Sequence, residues 1–173
     1  MLKNDIKFRT IRKTDIQRVL EIYNFHIKNG LANFEEKTIN YESFLNLSKK
    51  ILKLKLPFII CELKKEIIGF GFLSHFREKS GYKYTYENSI YMDNNYLNKG
   101  FGNLLLKKLI LDAKKNDKIK SIIAVISNKN SKGSLKIHKK NGFNTIGTLK
   151  KVGYKKKQWL DSIYMQKIFN EKN

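Results

Sequence analysis

Two glycines stand two residues apart in Leu97-Asn98-Lys99-Gly100-Phe101-Gly102, after an apolar, β-prone stretch (Ser89-Ile90-Tyr91-Met92) and before an amphipathic run from Asn103 to Ile110. Glycine lets the backbone turn sharply and present successive N–H groups with no Cβ in a ligand's way. A helix N-terminus adds about half a positive charge at the same point. The combination makes an anion seat, and a pyrophosphate suits it best. Two commoner phosphate loops are excluded. A dinucleotide fingerprint needs glycine at position 105, where Leu105 stands, and no Gly-Lys-Ser/Thr follows four spacers as in a Walker loop. The plain alternative is a glycine-rich turn that merely starts a helix.

Two residues could move protons. Glu87 sits mid-strand in Thr85-Tyr86-Glu87-Asn88-Ser89 among aromatic neighbours. Desolvation there would raise its pKa toward the range of a useful general base, although residue type alone also fits an outward-facing strand glutamate. His138, in Leu135-Lys136-Ile137-His138, could give or take a proton near neutral pH or serve as a structural helix histidine. His26 and His75 have weaker claims, and no spacing suggests a metal site. The single cysteine, Cys61, lies in an apolar strand-like stretch and cannot form an internal disulfide. It reads as a small buried hydrophobe in a reduced, cytoplasmic setting.

The elements that must position these groups follow from periodicity. Ile6 to Ile11 alternates as a strand, and Thr14-Asp15 offers an N-cap to a helix with apolar residues from Ile16 to Ile27, ended by Gly30. A second helix spans about Tyr41 to Leu54. Pro57 to Leu63 and Ile67 to Phe76 form a hairpin, and Tyr84 to Met92 a fourth strand. Gly100 to Lys115 is a helix, and Ser121 to Ser127, apolar without alternation, is a strand buried on both faces. Ser131 to Asn141 is a short helix closed by Gly142, and Phe143 to Val152 and Trp159 to Phe169 are the last strands. The order predicts an α/β domain covering residues 1–173, with a mixed sheet of about seven strands flanked by about four helices. The anion seat leaves the carboxyl end of the fourth strand, where α/β sheets bind ligands.

At 173 residues, with 41% hydrophobic and 12% aromatic content, the chain can bury the core of one domain. No apolar run approaches the roughly 20 residues of a membrane span, and Met1 to Asp5 lacks a signal peptide's apolar core. A net charge of +21 invites a nucleic-acid partner, but only four of the 36 basic residues are arginine (Arg9, Arg12, Arg18, Arg77). The dispersed lysines read as a solvated surface that steers anionic ligands.

This element order, with its x-x-x-Gly-x-Gly loop between fourth strand and third helix, resembles the GNAT acyltransferase superfamily. Several separated segments resemble its phosphinothricin N-acetyltransferase family in order and spacing. They are Ile22 to Ile27, Asn33-Phe34, Tyr82 to Met92, Ala124-Val125-Ile126, Leu135 to Phe143, Gly147-Thr148-Leu149 and Gly153-Tyr154-Lys155 before Trp159. The resemblance implies acetyl transfer from acetyl-CoA to the α-amine of a small amino-acid-like substrate of the phosphinothricin, methionine sulfoximine or methionine sulfone type. The alternatives are a peptide or protein N-terminal acetyltransferase, or a basic nucleic-acid-binding module without catalysis.

The resemblance also implies roles. Glu87 matches the family's general base, and His138 the position that protonates the departing thiolate. Ile90, Tyr91 and Met92 would offer backbone groups to the pantetheine arm, and Leu97 to Gly102 (with Asn98, Lys99, Gly100 and Phe101 between) would hold the pyrophosphate. Asn130 or Ser131 falls where the superfamily has a pantetheine-contacting asparagine. Phe34, Arg77, Lys79 and Tyr82 would bind substrate, and Trp159 could shape the pocket. Leu97 departs from the Gln or Arg of the superfamily loop, and Glu35 stands where the family commonly has a cation after Asn-Phe. Members of the family often dimerise.

Overall fold

Helices form where apolar residues recur at three- and four-residue spacing, and strands where β-branched and aromatic residues cluster. The computed structural model describes residues 5–129 and 131–169. In chain order, β1 (Ile6–Thr10) is followed by α1 (Ile16–Asn29) and α2 (Tyr41–Lys53), then β2 (Phe58–Leu63), β3 (Glu66–His75) and β4 (Thr85–Met92). The chain continues through α3 (Phe101–Ala113), β5 (Ser121–Ser127), α4 (Lys132–Lys140), β6 (Asn144–Lys155) and β7 (Gln158–Ile168). One sheet carries all seven strands in the order β1-β2-β3-β4-β5-β7-β6. Every neighbouring pair is antiparallel except β4 and β5, which α3 joins as a parallel crossover. This is the mixed α/β domain of seven strands and four helices that the periodicity predicts.

The core lies between the sheet and its helices. Phe44 of α2, Phe58 of β2 and Phe70 of β3 are fully buried and pack ring against ring with Tyr23 of α1 and Tyr91 of β4. Asp15 departs from its expected role. Its carboxylate does not cap α1. It accepts the fork of Arg9 at 2.6 and 2.8 Å and the Arg12 N–H at 2.6 Å, and Arg9 also reaches Glu62 at 2.8 Å, so a charge network ties β1 and β2 to the start of α1. Three short 3-10 turns, Lys13–Asp15, Ser80–Tyr82 and Asn94–Tyr96, carry no periodic signal and went unanticipated. α3 is shorter than predicted at both ends, and β6 runs to Lys155 through an irregularity between Leu149 and Gly153 where Lys151 has φ 49°. A bulge breaks strand alternation without ending the strand.

One feature of the sheet positions everything below. β4 and β5 pair at only three positions, Thr85↔Ser121, Tyr86↔Ile122 and Glu87↔Ile123. Past them β4 stays with β3 as far as Met92, and β5 stays with β7 through Ser127. The sheet therefore splits into a wedge, and the facing backbone groups of β4 and β5 beyond Glu87 have no strand partner.

Candidate active site

The wedge opens into a cavity of about 590 Å³. Its walls are Glu87 to Tyr91 of β4, Ala124 to Ile126 of β5, Ser131, Ser134 and His138 at α4, and Asn33-Phe34-Glu35 after α1. Successive strand residues project to opposite faces. Glu87 shares a face with Tyr91, whose ring meets Tyr23 of α1, while Asn88 shares a face with His138 of α4. Glu87 stands where the sheet begins to part. Burial pushes its carboxyl above the ordinary range, and the positive charge of Arg77 pulls it partly back. A carboxylate so placed can accept a proton inside the cavity.

His138 reaches the cavity, but both its ring nitrogens are engaged. Nδ1 lies 2.8 Å from the Ser134 carbonyl and Nε2 lies 3.0 Å from Asn88 Nδ2. A carbonyl only accepts, so Nδ1 carries the proton, and the Nε2 lone pair accepts from the Asn88 amide. Burial, at 3% exposure, lowers the pKa of His138 and favours this neutral form, against a smaller raising effect of the Ser134 hydrogen bond. A neutral imidazole whose N–H is committed to a backbone carbonyl has no proton aimed at the cavity. Asn88 Oδ1 is left buried and without a partner.

The glycine loop expected to seat an anion lies past the end of β4. Gly100 has φ +84° and precedes the right-handed first residue of α3, so the left-then-right backbone turns N–H groups to one side. A Cβ on Gly100 would meet open space, so its left-handed conformation is what asks for glycine. Gly102 differs from expectation. A Cβ there would point inward, to ordinary contact with Met92 at 3.7 Å and Ile137 at 3.8 Å, and so would not obstruct a ligand. Those neighbours place the start of α3 one residue from His138. Leu97, Asn98 and Lys99 are exposed, Asn98 is also left-handed at φ 59°, and Phe101 is core.

Other expectations fare differently. Ile90, Tyr91 and Ser131 line the cavity, but Met92 does not: its side chain is buried and its carbonyl accepts from His26 Nε2 at 2.7 Å. Asn130 lies outside the described residues. Phe34 lines the cavity, whereas Arg77 and Lys79 line a second cavity of about 380 Å³ that shares Leu47 and Ser74 with the first. Tyr82 is exposed and packs edge-on against Phe76. Trp159 is 56% exposed beside Tyr154 and lines neither of these two cavities. Sequence reasoning assigned nothing to Asn88, Tyr23 or Lys155. Asn88 carried a signal, being polar on a strand face otherwise occupied by Tyr86, Ile90 and Met92. Lys155, 2% exposed, donates to the Asn33 carbonyl at 2.6 Å, and Asn33 Nδ2 donates to the Tyr91 hydroxyl at 3.2 Å. The far strand β6 thus pins the loop that walls the cavity. Cys61 is buried and its thiol is pushed up to about 12, chiefly by desolvation, so it is inert.

Among the described residues no group of three or more His, Cys, Asp or Glu is placed to hold a metal, and no helix is long and apolar enough to cross a membrane. The acetyltransferase (GNAT) domain family matches residues 8–164. A phosphinothricin N-acetyltransferase of Alcaligenes faecalis is 30% identical over 94% of this chain and 82% of its own. An L-methionine sulfoximine/L-methionine sulfone acetyltransferase of Salmonella typhimurium is 28% identical over 92% of each. An acetyltransferase of Salmonella typhimurium (yncA), solved with its cofactor acetyl-CoA, superposes with a TM-score of 0.92 at 27% identity over 97% of this chain and 96% of its own. With the split sheet, the half-buried strand carboxyl and the glycine loop before α3 in one arrangement, and with the family matched over residues 8–164, this chain belongs to the GNAT acetyltransferases.

Proposed function

We infer that this chain transfers acetyl from acetyl-CoA to the α-amine of a small amino-acid-like substrate, with Glu87 as general base. The observation that carries this reading is the half-buried Glu87 carboxyl at the point where β4 and β5 part, lining a cavity of about 590 Å³. The residues fit the donor: left-handed Gly100 before α3 suits its pyrophosphate, and the unpaired backbone edges of the wedge suit its amide-bearing arm. Bound acetyl-CoA supplies a thioester carbonyl open to attack. Glu87 takes the proton of the amine, directly or through one water, so that the nitrogen attacks as a neutral nucleophile. The C–N bond forms as the C–S bond breaks, CoA leaves as its thiolate, and the second proton shed by the nitrogen neutralises it through solvent. A backbone N–H of the open β4 edge donates to the oxygen that gains charge. Among the lining residues there is no Lys or Arg, and Glu35 is a second carboxylate among them. An acceptor with an uncharged side chain, of the methionine sulfone type, therefore suits the cavity better than one carrying a phosphinate.

A thiol-release assay with acetyl-CoA tests this over phosphinothricin, methionine sulfone, methionine sulfoximine, simple amino acids, polyamines and short peptides. Turnover is expected with the amino-acid amines, highest with methionine sulfone. Release with peptides alone would transfer the reading to an N-terminal acetyltransferase, and no release with any amine would end the enzymatic one. The exposed Ile146, Leu149, Val152, Tyr154 and Trp159 of the β6–β7 hairpin are read as the seat of a second copy. Sedimentation velocity showing only monomer at micromolar concentration would sink that assignment. The lysine surface is assigned to steering of anionic ligands, with no nucleic-acid partner and a cytoplasmic setting.

A further inference from the structure

We propose that Asn88 is a donor-binding residue whose Oδ1 accepts an amide N–H of the pantetheine arm, and that His138 is the positioning residue that aims it. The inference rests on acetyl-CoA being the donor and goes beyond that reading in the roles it gives these two side chains. Asn88 is 8% exposed and lines the wedge, and its Oδ1 is the one buried side-chain polar atom among the described residues without a hydrogen-bond partner. A buried acceptor left unpaired is costly, and a ligand's N–H brought to it would remove that cost.

The orientation of the amide is set by α4. The Ser134 carbonyl takes the proton of His138 Nδ1, leaving a lone pair on Nε2. Asn88 must present Nδ2 to that lone pair, since turning the amide over would set Oδ1 against it. Oδ1 is thereby directed away from the histidine, on a side chain that lines the cavity. The donor approaches from the same side: Gly102, next to the anion seat, neighbours Met92 and Ile137, the residue before His138. The arm between a pyrophosphate held at α3 and a thioester near Glu87 has amide N–H groups as its only N–H donors, and the acyl thioester itself has none. His138 thus acts through Asn88, which replaces the thiolate-protonating role implied by the family resemblance.

Calorimetry on the full chain separates the possibilities, with acetyl-CoA and with ADP, which has the pyrophosphate but no pantetheine arm. Asn88→Ala is expected to raise the acetyl-CoA Kd about tenfold, the loss of one hydrogen bond, and to leave ADP binding within about twofold. His138→Leu is expected to weaken acetyl-CoA in the same direction, and His138→Gln, which keeps an acceptor for Nδ2, to bind more tightly than His138→Leu. Unchanged acetyl-CoA binding in Asn88→Ala, or equal weakening of acetyl-CoA and ADP, would overturn the assignment of Asn88. A steep kcat loss shared by His138→Gln and His138→Leu at unchanged acetyl-CoA Kd would restore His138 as the proton donor. Failure of the wild type to bind acetyl-CoA would remove the underlying reading itself.

Discussion

As the proposed general base, Glu87 must be ionised to accept a proton, yet its surroundings favour the neutral acid. Burial raises its pKa, so the acidic limb of kcat/KM is expected above the usual carboxylate range. Arg77 is the charge that lowers it, and Arg77→Gln is therefore expected to move that limb to higher pH. A pH–rate profile checks this, and a downward shift would contradict it. Glu87→Gln is expected to lower turnover by roughly 100-fold or more at neutral pH, with partial recovery as pH rises and the amine loses its proton unaided. The same variant is expected to melt higher than the wild type at neutral pH. A group whose folded pKa lies above its unfolded value binds more protons when folded, so stability falls as pH rises through that window. The amide escapes this, and the gap in Tm should close below the ordinary carboxylate pKa.

At the scale of elements, the start of α3 and the Asn33-Phe34 loop carry separable predictions. Gly100→Ala places a side chain in a left-handed residue and is expected to cost about 1 kcal/mol, with weaker acetyl-CoA binding. Gly102→Ala, with ordinary contacts at 3.7 and 3.8 Å, is expected to be neutral or to stabilise the helix by up to about 1 kcal/mol. Urea denaturation of both variants reads the difference, and equal destabilisation would refute the distinction. On the far side, a Cβ on Gly153 would collide with the Phe34 ring. Gly153→Ala is expected to shift that loop, raising the KM for the acceptor while leaving acetyl-CoA affinity unchanged. A change confined to acetyl-CoA affinity would show that Phe34 does not serve the acceptor side.

For the whole molecule, a net charge of +21 meets an anionic donor. Attraction over many ångströms raises encounter rates and is screened by salt. The kcat/KM for acetyl-CoA is expected to fall as ionic strength rises, while kcat at saturating donor holds. A salt-independent kcat/KM would mean that the lysines contribute nothing to capture. The same scale explains the wedge. β3 and β7 hold β4 and β5 along their outer edges, so the two strands can part without either losing its ladder.

Periodicity and glycine placement made the element order, the mixed sheet and the left-handed glycine turn before α3 legible from residue types, because local backbone preference and one-sided burial leave a repeating signal. Separated segments such as Tyr82 to Met92 and Leu135 to Phe143 led to the family and to Glu87 as the base proposed here. The 3-10 turns and the bulge in β6 left no such signal. Tertiary structure alone decided the rest. It put Arg77 and Lys79 on a neighbouring cavity, exposed Trp159, engaged both nitrogens of His138 and left Asn88 Oδ1 alone at the wedge. These outcomes depend on which distant backbone groups meet. Asn88 and His138 lie 50 residues apart, and Lys155 lies 122 from Asn33. Their partners are set by strand order and register, which no local pattern of residues encodes.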